Sequence, residues 1–427
     1  MQPKDPMPLA PKEPRRIWIG LATVVAVLLT LGVMGGLVFH RLAARSGTGQ
    51  SVGSAAVSGV DFRCRLPVLA GASSAFISFP DGAVTIDHTI ALNAYKGGYG
   101  YSYDAEVKSW VPVPRSAVSP DGRSYAYLTQ TTGIPGQMST MSLHTREIVS
   151  GRDHVLWEGP ASPTGPDQLT WLGSGIYFSA VLLPAGATTG PAFPALYVAD
   201  PSHPGTPRRV GPNPAPQPPG PDQPYYSGPD MFMYVGGGAA WATGNRVPKE
   251  APSPNKPPAP GDFGPDKVLR MDLRDGSVST WYSVTGTEFV SLIGLDQQGR
   301  PILSLFQPKP PIDGGTPPNT YEPPPVRLLL LTGANQTVEM NSGSPDFHPA
   351  SSPLADSHGI WFGSWNSLWL YSANGGLHQV ATIPGGLFPS PSPPPGFPPK
   401  SVLASGAKLG LPPYMQGTVV MPAGSCT

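Results

Sequence analysis

Charge, cysteine and helical periodicity are all scarce in this 427-residue sequence. Charged residues are 13% of the chain, roughly half the usual share, and 27 basic residues balance 27 acidic ones. With no net field to hold a phosphate backbone, the chain excludes nucleic acid as a partner. Only two cysteines occur, Cys64 and Cys426, and the eight histidines, among them His348, His358 and His378, follow no zinc-ligand spacing. The one G-x-S-x-G match, "GQSVG" (49–53), lies in the linker-like stretch ahead of the repeats, and no hydrolase domain is expected after them, so a propeller-gated peptidase is not expected. After residue 60 no helical repeat of apolar residues occurs, which excludes a helical domain.

Proline (58) and glycine (52) make up about a quarter of the residues, yet apolar residues still reach 39% and gather in short runs. That composition suits many short strands separated by turns. The exception is residues 17–39, "IWIGLATVVAVLLTLGVMGGLVF", 23 residues without a charge. At about 1.5 Å per residue a helix of this length crosses a ~30 Å hydrocarbon core. A cleaved signal peptide is the alternative, but its apolar region is shorter, roughly 7–15 residues, and ends in a small-residue cleavage site. Lys4, Lys12, Arg15 and Arg16 precede the span, while Arg41 and Arg45 follow it. The positive-inside tendency therefore puts the N-terminus in the cytoplasm. The expected organisation is a cytoplasmic tail (1–16), a transmembrane signal anchor (17–39), a flexible stalk (40–60) and an extracytoplasmic domain (61–427) at the cell membrane.

Within that domain one unit recurs: a short strand, a tight turn closed by glycine, then a strongly apolar strand. Its copies are "AFISFPDGAVTID" (75–87), "AVSPDGRSYAYLT" (117–129), "LTWLGSGIYFSAVLL" (169–183), "MFMYVGGGAAWAT" (231–243), "SLIGLDQQGRPILSLF" (291–306) and "PLADSHGIWFGS" (353–364). The turn glycines are Gly82, Gly122, Gly175, Gly238, Gly299 and Gly359, at spacings of 40, 53, 63, 61 and 60 residues. A second pair of strands follows each copy, as in "YGYSYDAEVKSWVPV" after the first. Four strands per repeat and six repeats predict an all-β chain, a β-propeller of six four-stranded blades preceded by one transmembrane helix. A β-sandwich, the competing all-β architecture, requires no such repeat. Strand-like runs at 62–70 and 400–422 are read as one composite closure, with a seventh blade built from both ends as the alternative.

"SPDGRSYAYLT" resembles the repeat signature of TolB-type propellers, and "ADSHGIWFGSWNSLWLYSANGG" is similar to repeats of streptogramin-lyase-like and sensor-kinase propellers. The resemblance implies the propeller fold over most of the exported region.

In a propeller blade with strands a to d, the a–b and c–d connections leave one edge and the b–c and d–a connections leave the other. The long proline-rich stretches fall at b–c (184–194, 244–266, 307–325) and d–a (211–229, 385–400) positions, hence on one face. The function expected is a membrane-anchored binding or scaffold module that meets a protein or glycan through this face. Tyr225, Tyr226 and Tyr321 are the candidate contacts, because tyrosine supplies large contact area on loops. The alternative is a propeller enzyme, a lyase or hydrolase with a site in the central channel. The innermost strands offer almost no acidic residues for such a site, so no catalytic residue, metal or cofactor is assigned. Cys64 and Cys426 bracket the repeats in an oxidising compartment, and ring closure would bring them together as a disulfide; free thiols are the alternative.

Overall fold

Tight turns set the architecture. In "SPDG" the Ser119 hydroxyl donates to Asp121, the Asp121 carboxylate accepts the Arg123 amide, and Gly122 takes φ 66°. Gly82, Gly238, Gly299 and Gly359 occupy the same left-handed region in their turns. In the turn at 172–175 that role belongs to Gly173 (φ 58°), not to Gly175 as the pattern suggested. The chain divides into two units, Met1–Gln50 and Ser51–Thr427. The computed structural model describes residues 50–71, 73–90, 100–131, 139–161, 169–180, 182, 195–211, 234–245, 264–307, 326–341, 347–388 and 418–427.

Most of these residues are in strands, and turns and irregular backbone join them. In chain order they are β1 (Gln50–Ser54), β2 (Ala56–Val57), β3 (Cys64–Ala70), β4 (Ser73–Phe79), β5 (Ala83–Asp87), β6 (Ser102–Asp104) and β7 (Ser109–Val111). Next come β8 (Ser124–Thr131), β9 (Ser139–Glu147), β10 (Asp153–Ala161), β11 (Leu169–Leu172), β12 (Gly175–Ala180), β13 (Ala195–Ala199) and β14 (Arg208–Arg209). The third group is β15 (Tyr234–Gly236), β16 (Ala239–Asn245), β17 (Pro265–Asp272), β18 (Val278–Ser283), β19 (Phe289–Leu295), β20 (Pro301–Phe306), β21 (Arg327–Gly333) and β22 (Gln336–Glu339). The last are β23 (Leu354–Asp356), β24 (Gly359–Ser364), β25 (Ser367–Ser372), β26 (Gly376–Thr382) and β27 (Val420–Pro422).

They pair as antiparallel meanders: β8–β10, β11–β14, β15–β18, β19–β22, and β23–β26 with β2 added outside β26. Val118 bridges Tyr125 and serves as the first strand of the β8–β10 sheet. The inner strands follow one another in space: β8 lies against β11, β11 against β15, β15 against β19 and β19 against β23. The remaining large sheet is ordered β27–β3–β4–β5–β1, and β27 lies against β24, so the series closes on itself through a sheet built from both ends of the unit. This is a β-propeller. The second strands β12, β16, β20 and β24 are nearly continuous buried runs, since strands flank both their edges and neighbouring sheets cover both faces. The outermost strands β18 and β22 are largely exposed and polar.

Three expectations need correction. Residues 75–87 form the third and fourth strands of the closing sheet rather than a first and second pair, because β27 and β3 already hold the inner places. "YGYSYDAEVKSWVPV" supplies a separate two-stranded sheet, β6–β7. Part of the stretch read as a stalk is folded, with β1 beside β5 and β2 beside β26, where backbone pairing at exposed sheet edges needs no apolar pattern. Residues 17–39 lie outside the described residues, and among the latter no helix is long and apolar enough to cross a membrane. Among the described strands, with Val118 taken as a first strand, every separation of nine residues or more lies between a second strand and a third or after a last strand. The first-to-second and third-to-fourth connections stay at eight residues or fewer.

Candidate functional site

The structure brings together one expected pair. Cys64 and Cys426 are joined as a disulfide with Cα atoms 5.4 Å apart. Cys64 opens β3 and Cys426 lies just past β27, so the bond sits where the other large sheets carry the turn between their first two strands. Around it, the Asp356 carboxylate, 3% exposed, accepts the Cys426 amide (2.8 Å) and the His358 amide (2.8 Å). Phe62 packs against the His358 ring at 4.4 Å and edge-on to Trp361 at 6.2 Å. Backbone bonds from Arg65 to Thr427 and from Ala423 to Pro67 complete the seam. His358, in the turn after β23, is at the closure, whereas His378 lies within β26, the fourth strand of the neighbouring sheet. Tyr225, Tyr226 and Tyr321 lie outside the described residues. Among the described residues, no group of three or more His, Cys, Asp or Glu side chains is placed to hold a metal ion.

A second cluster occupies one face of the β8–β10 sheet. Strand register sets Tyr125 opposite Arg146, Tyr127 opposite His144 and Thr129 opposite Ser142, and β10 adds Asp153, Val155 and Glu158 on the same side. At one end this face is covered: Tyr125 is buried with Val111 and Val113 beside the β6–β7 sheet. The two-stranded sheet is too short to reach further. Tyr127 and His144 are half-buried, Thr129 and Asp153 are exposed, and Val155 is 54% exposed.

The uncovered groups are connected. The Tyr127 hydroxyl donates to Asp153 Oδ2 at 2.5 Å, and the Tyr127 and His144 rings stack with centroids 4.8 Å apart. Thr129 Oγ1 lies 3.1 Å from His144 Nε2, and His144 Nδ1 lies 3.5 Å from Asp153 Oδ1. Burial, then the hydrogen bond to Asp153, pushes the Tyr127 phenol up to about 12. The same bond, followed by the nearby histidine, holds the Asp153 carboxyl below the ordinary range. Thr–His–Asp order is that of a nucleophile, a base and an orienting acid. The geometry argues against that chemistry. A separation of 3.5 Å is too long for the hydrogen bond that would orient the imidazole, and Asp153 already accepts the tyrosine proton. What remains is a polar and aromatic surface suited to hydrogen bonding and ring stacking.

Two features here lie outside the sequence expectations, and one of them is legible in the sequence. The His144 cluster depends on strand register, which no single stretch shows. The other is legible: Asp104, Asp200, Asp272, Asp296 and Asp356 each end a strand or lie next to its end and accept the amide two residues on, at 2.8–3.0 Å. An aspartate before these five turns is a local signal that fastens part of one edge of the ring.

No family model matches the chain, and no curated protein matches it. Solved structures with similar backbones include TolB from Acinetobacter baumannii, at 14% identity over 76% of this chain and 65% of that one, with a TM-score of 0.37. The propeller domain of the Trilobed protease from Pyrococcus furiosus is similar at 10% identity, 76% and 85% coverage and a TM-score of 0.38. One of two prolyl endopeptidases gives 12%, 82% and 53%, and 0.42. The chain thus spans about two thirds of TolB and about half of the endopeptidase. Likeness at this level assigns no family and no activity.

Proposed function

We propose that the chain is a membrane-tethered, extracytoplasmic β-propeller that works as a binding or scaffold module for a protein or glycan. One observation carries this reading: among the described strands, all the long separations lie at the same edge of the sheets. Insertions tolerated at random would fall on both edges, since lengthening a surface connection costs little wherever it occurs. Proline-rich connections also lose less entropy when a partner orders them. Tyr225, Tyr226 and Tyr321 belong to these connections and are the proposed contacts. The apolar stretch 17–39 is the proposed tether, with the N-terminus cytoplasmic. For the ring we propose seven positions, one held by the two-stranded β6–β7 sheet, and a TolB-type repeat as its relative in design.

Crosslinking of the full chain in its native membrane, with a photoreactive group at Tyr225 or Tyr321, tests the reading. A discrete adduct from either position, and none from a group placed on the exposed Asp121 of the opposite edge, is the expected result. Equal labelling from both edges, or recovery of the unreduced chain in the soluble fraction, overturns it.

A further inference from the structure

Along the ring, the turn between third and fourth strands docks on the preceding sheet's last strand. Gly205 donates to Leu156 O at 3.0 Å, and Asn335 donates to Trp281 O at 2.7 Å. Where the β15–β18 sheet meets β14, bare backbone replaces that bond. A Cβ on Gly276 would lie 2.1 Å from the Gly211 Cα, and both glycines have positive φ (71° and 89°). No side chain fits between them, and a cleft of about 380 Å³ opens beside the contact. Arg208, Arg209, Arg274 and Asp275 form its charged lining.

We infer that this cleft binds an oxyanionic group, a phosphate or carboxylate carried by a ligand. Arg274 is held in place: its Nε and one Nη donate to the two Asp272 oxygens at 3.0 and 2.9 Å. A guanidinium has five N–H donors, so this anchoring leaves three for a ligand. Asp272 is shared with Arg270, 3.4 Å away, whose guanidinium sits 5.1 Å from the Trp281 ring centre. Arg208 is exposed and has no ion-pair partner among the described residues. Arg208 and Arg274 therefore face the cleft beside a single lining carboxylate, Asp275, in a chain whose overall charge is zero. The planar fork of arginine matches a two-oxygen anion, and the glycine floor lets that anion approach the backbone. Gly211 is where the 211–229 connection begins, but Arg274 and Asp275 lie in the turn at the opposite edge, and the anion titration below does not depend on the partner-binding reading.

Calorimetric titration of the full chain in detergent tests the inference at low ionic strength. Tripolyphosphate probes the phosphate source, tricarballylate the carboxylate source, and glycerol is the neutral control. Binding of either anion, weakened about tenfold or more by Arg208→Glu and retained by Arg208→Lys, is expected. Response to one anion alone names the source, and response to both assigns the shared chemistry. No binding of either anion overturns the inference. So does an unchanged affinity in Arg208→Glu at an unchanged unfolding temperature.

Discussion

The closing sheet and the β6–β7 sheet are neighbours built to opposite measure. The first gathers five strands from separate parts of the chain, buries residues such as Leu66, Ile77 and Trp361 completely, and adds a disulfide. The second has two strands of three residues. The two meet in one aromatic group, where Phe76 of β4 lies edge-on to Tyr103 (4.9 Å) and beside Trp110 (5.8 Å). Trp110 also donates to Asp87 at 2.9 Å. Where the chain ends must be held, strands are in surplus. Where strands are missing, the next sheet exposes its polar face with Tyr127, His144 and Asp153. Ring stability and an accessible surface are thus assigned to different positions.

Four substitutions test that division. Replacing both cysteines with serine removes a crosslink spanning 362 residues, for which the chain-entropy model gives about 6 kcal/mol. Thermal unfolding should fall steeply, to the value of the reduced wild type; an unchanged midpoint would show that the seam holds by packing alone. Trp110→Ala removes a buried anchor of the small sheet and should cost roughly 3–5 kcal/mol in urea unfolding. A cost below about 1 kcal/mol would mean that β6–β7 is an appendage rather than a member of the ring. Asp356→Ala leaves two amides at the seam without their acceptor and should cost about 1–3 kcal/mol. That cost should rise when the disulfide is reduced, because the two fastenings share one segment.

The smallest effect belongs to the open face. Tyr127→Phe should change stability by about 0.5 kcal/mol, since its partner Asp153 is exposed. Titration reads it more sharply. Asp153 has a depressed folded value, so its contribution is full above the ordinary carboxylate range and is lost as pH falls through the folded value. In Tyr127→Phe the folded-state Asp153 carboxyl should titrate at higher pH, followed by carboxyl NMR shifts, so that the loss is smaller and is complete at a higher pH. For Tyr127 the folded value is raised to about 12, so its contribution is full below about pH 10 and is lost as pH rises through 12. Phenolate absorbance should show one late-titrating tyrosine that the variant lacks.

Local chemistry made the strands and turns readable. "SPDG" names its own turn, and glycine spacing exposed the repeat. Strand rank was not readable, because "AFISFPDGAVTID" looks the same whether it is the inner or outer half of a sheet. Only the arrival of β27 from residues 420–422 assigns it the outer half. β1 and β2 were hidden because "QSVGSAAV" combines small and polar residues and depends on partners far along the chain. The exposed cluster was invisible for a related reason: Thr129, His144 and Asp153 look unremarkable until three strands align them.

The disulfide also changes what a cut does to the molecule. Because it stands in for a missing turn, the backbone from Cys64 to Cys426 is a closed covalent loop. A protease that severs any one connection within that loop yields a circularly permuted propeller, still in one piece, and a second cut is needed to release a fragment. The edge that carries the long connections can therefore be nicked once without the ring coming apart.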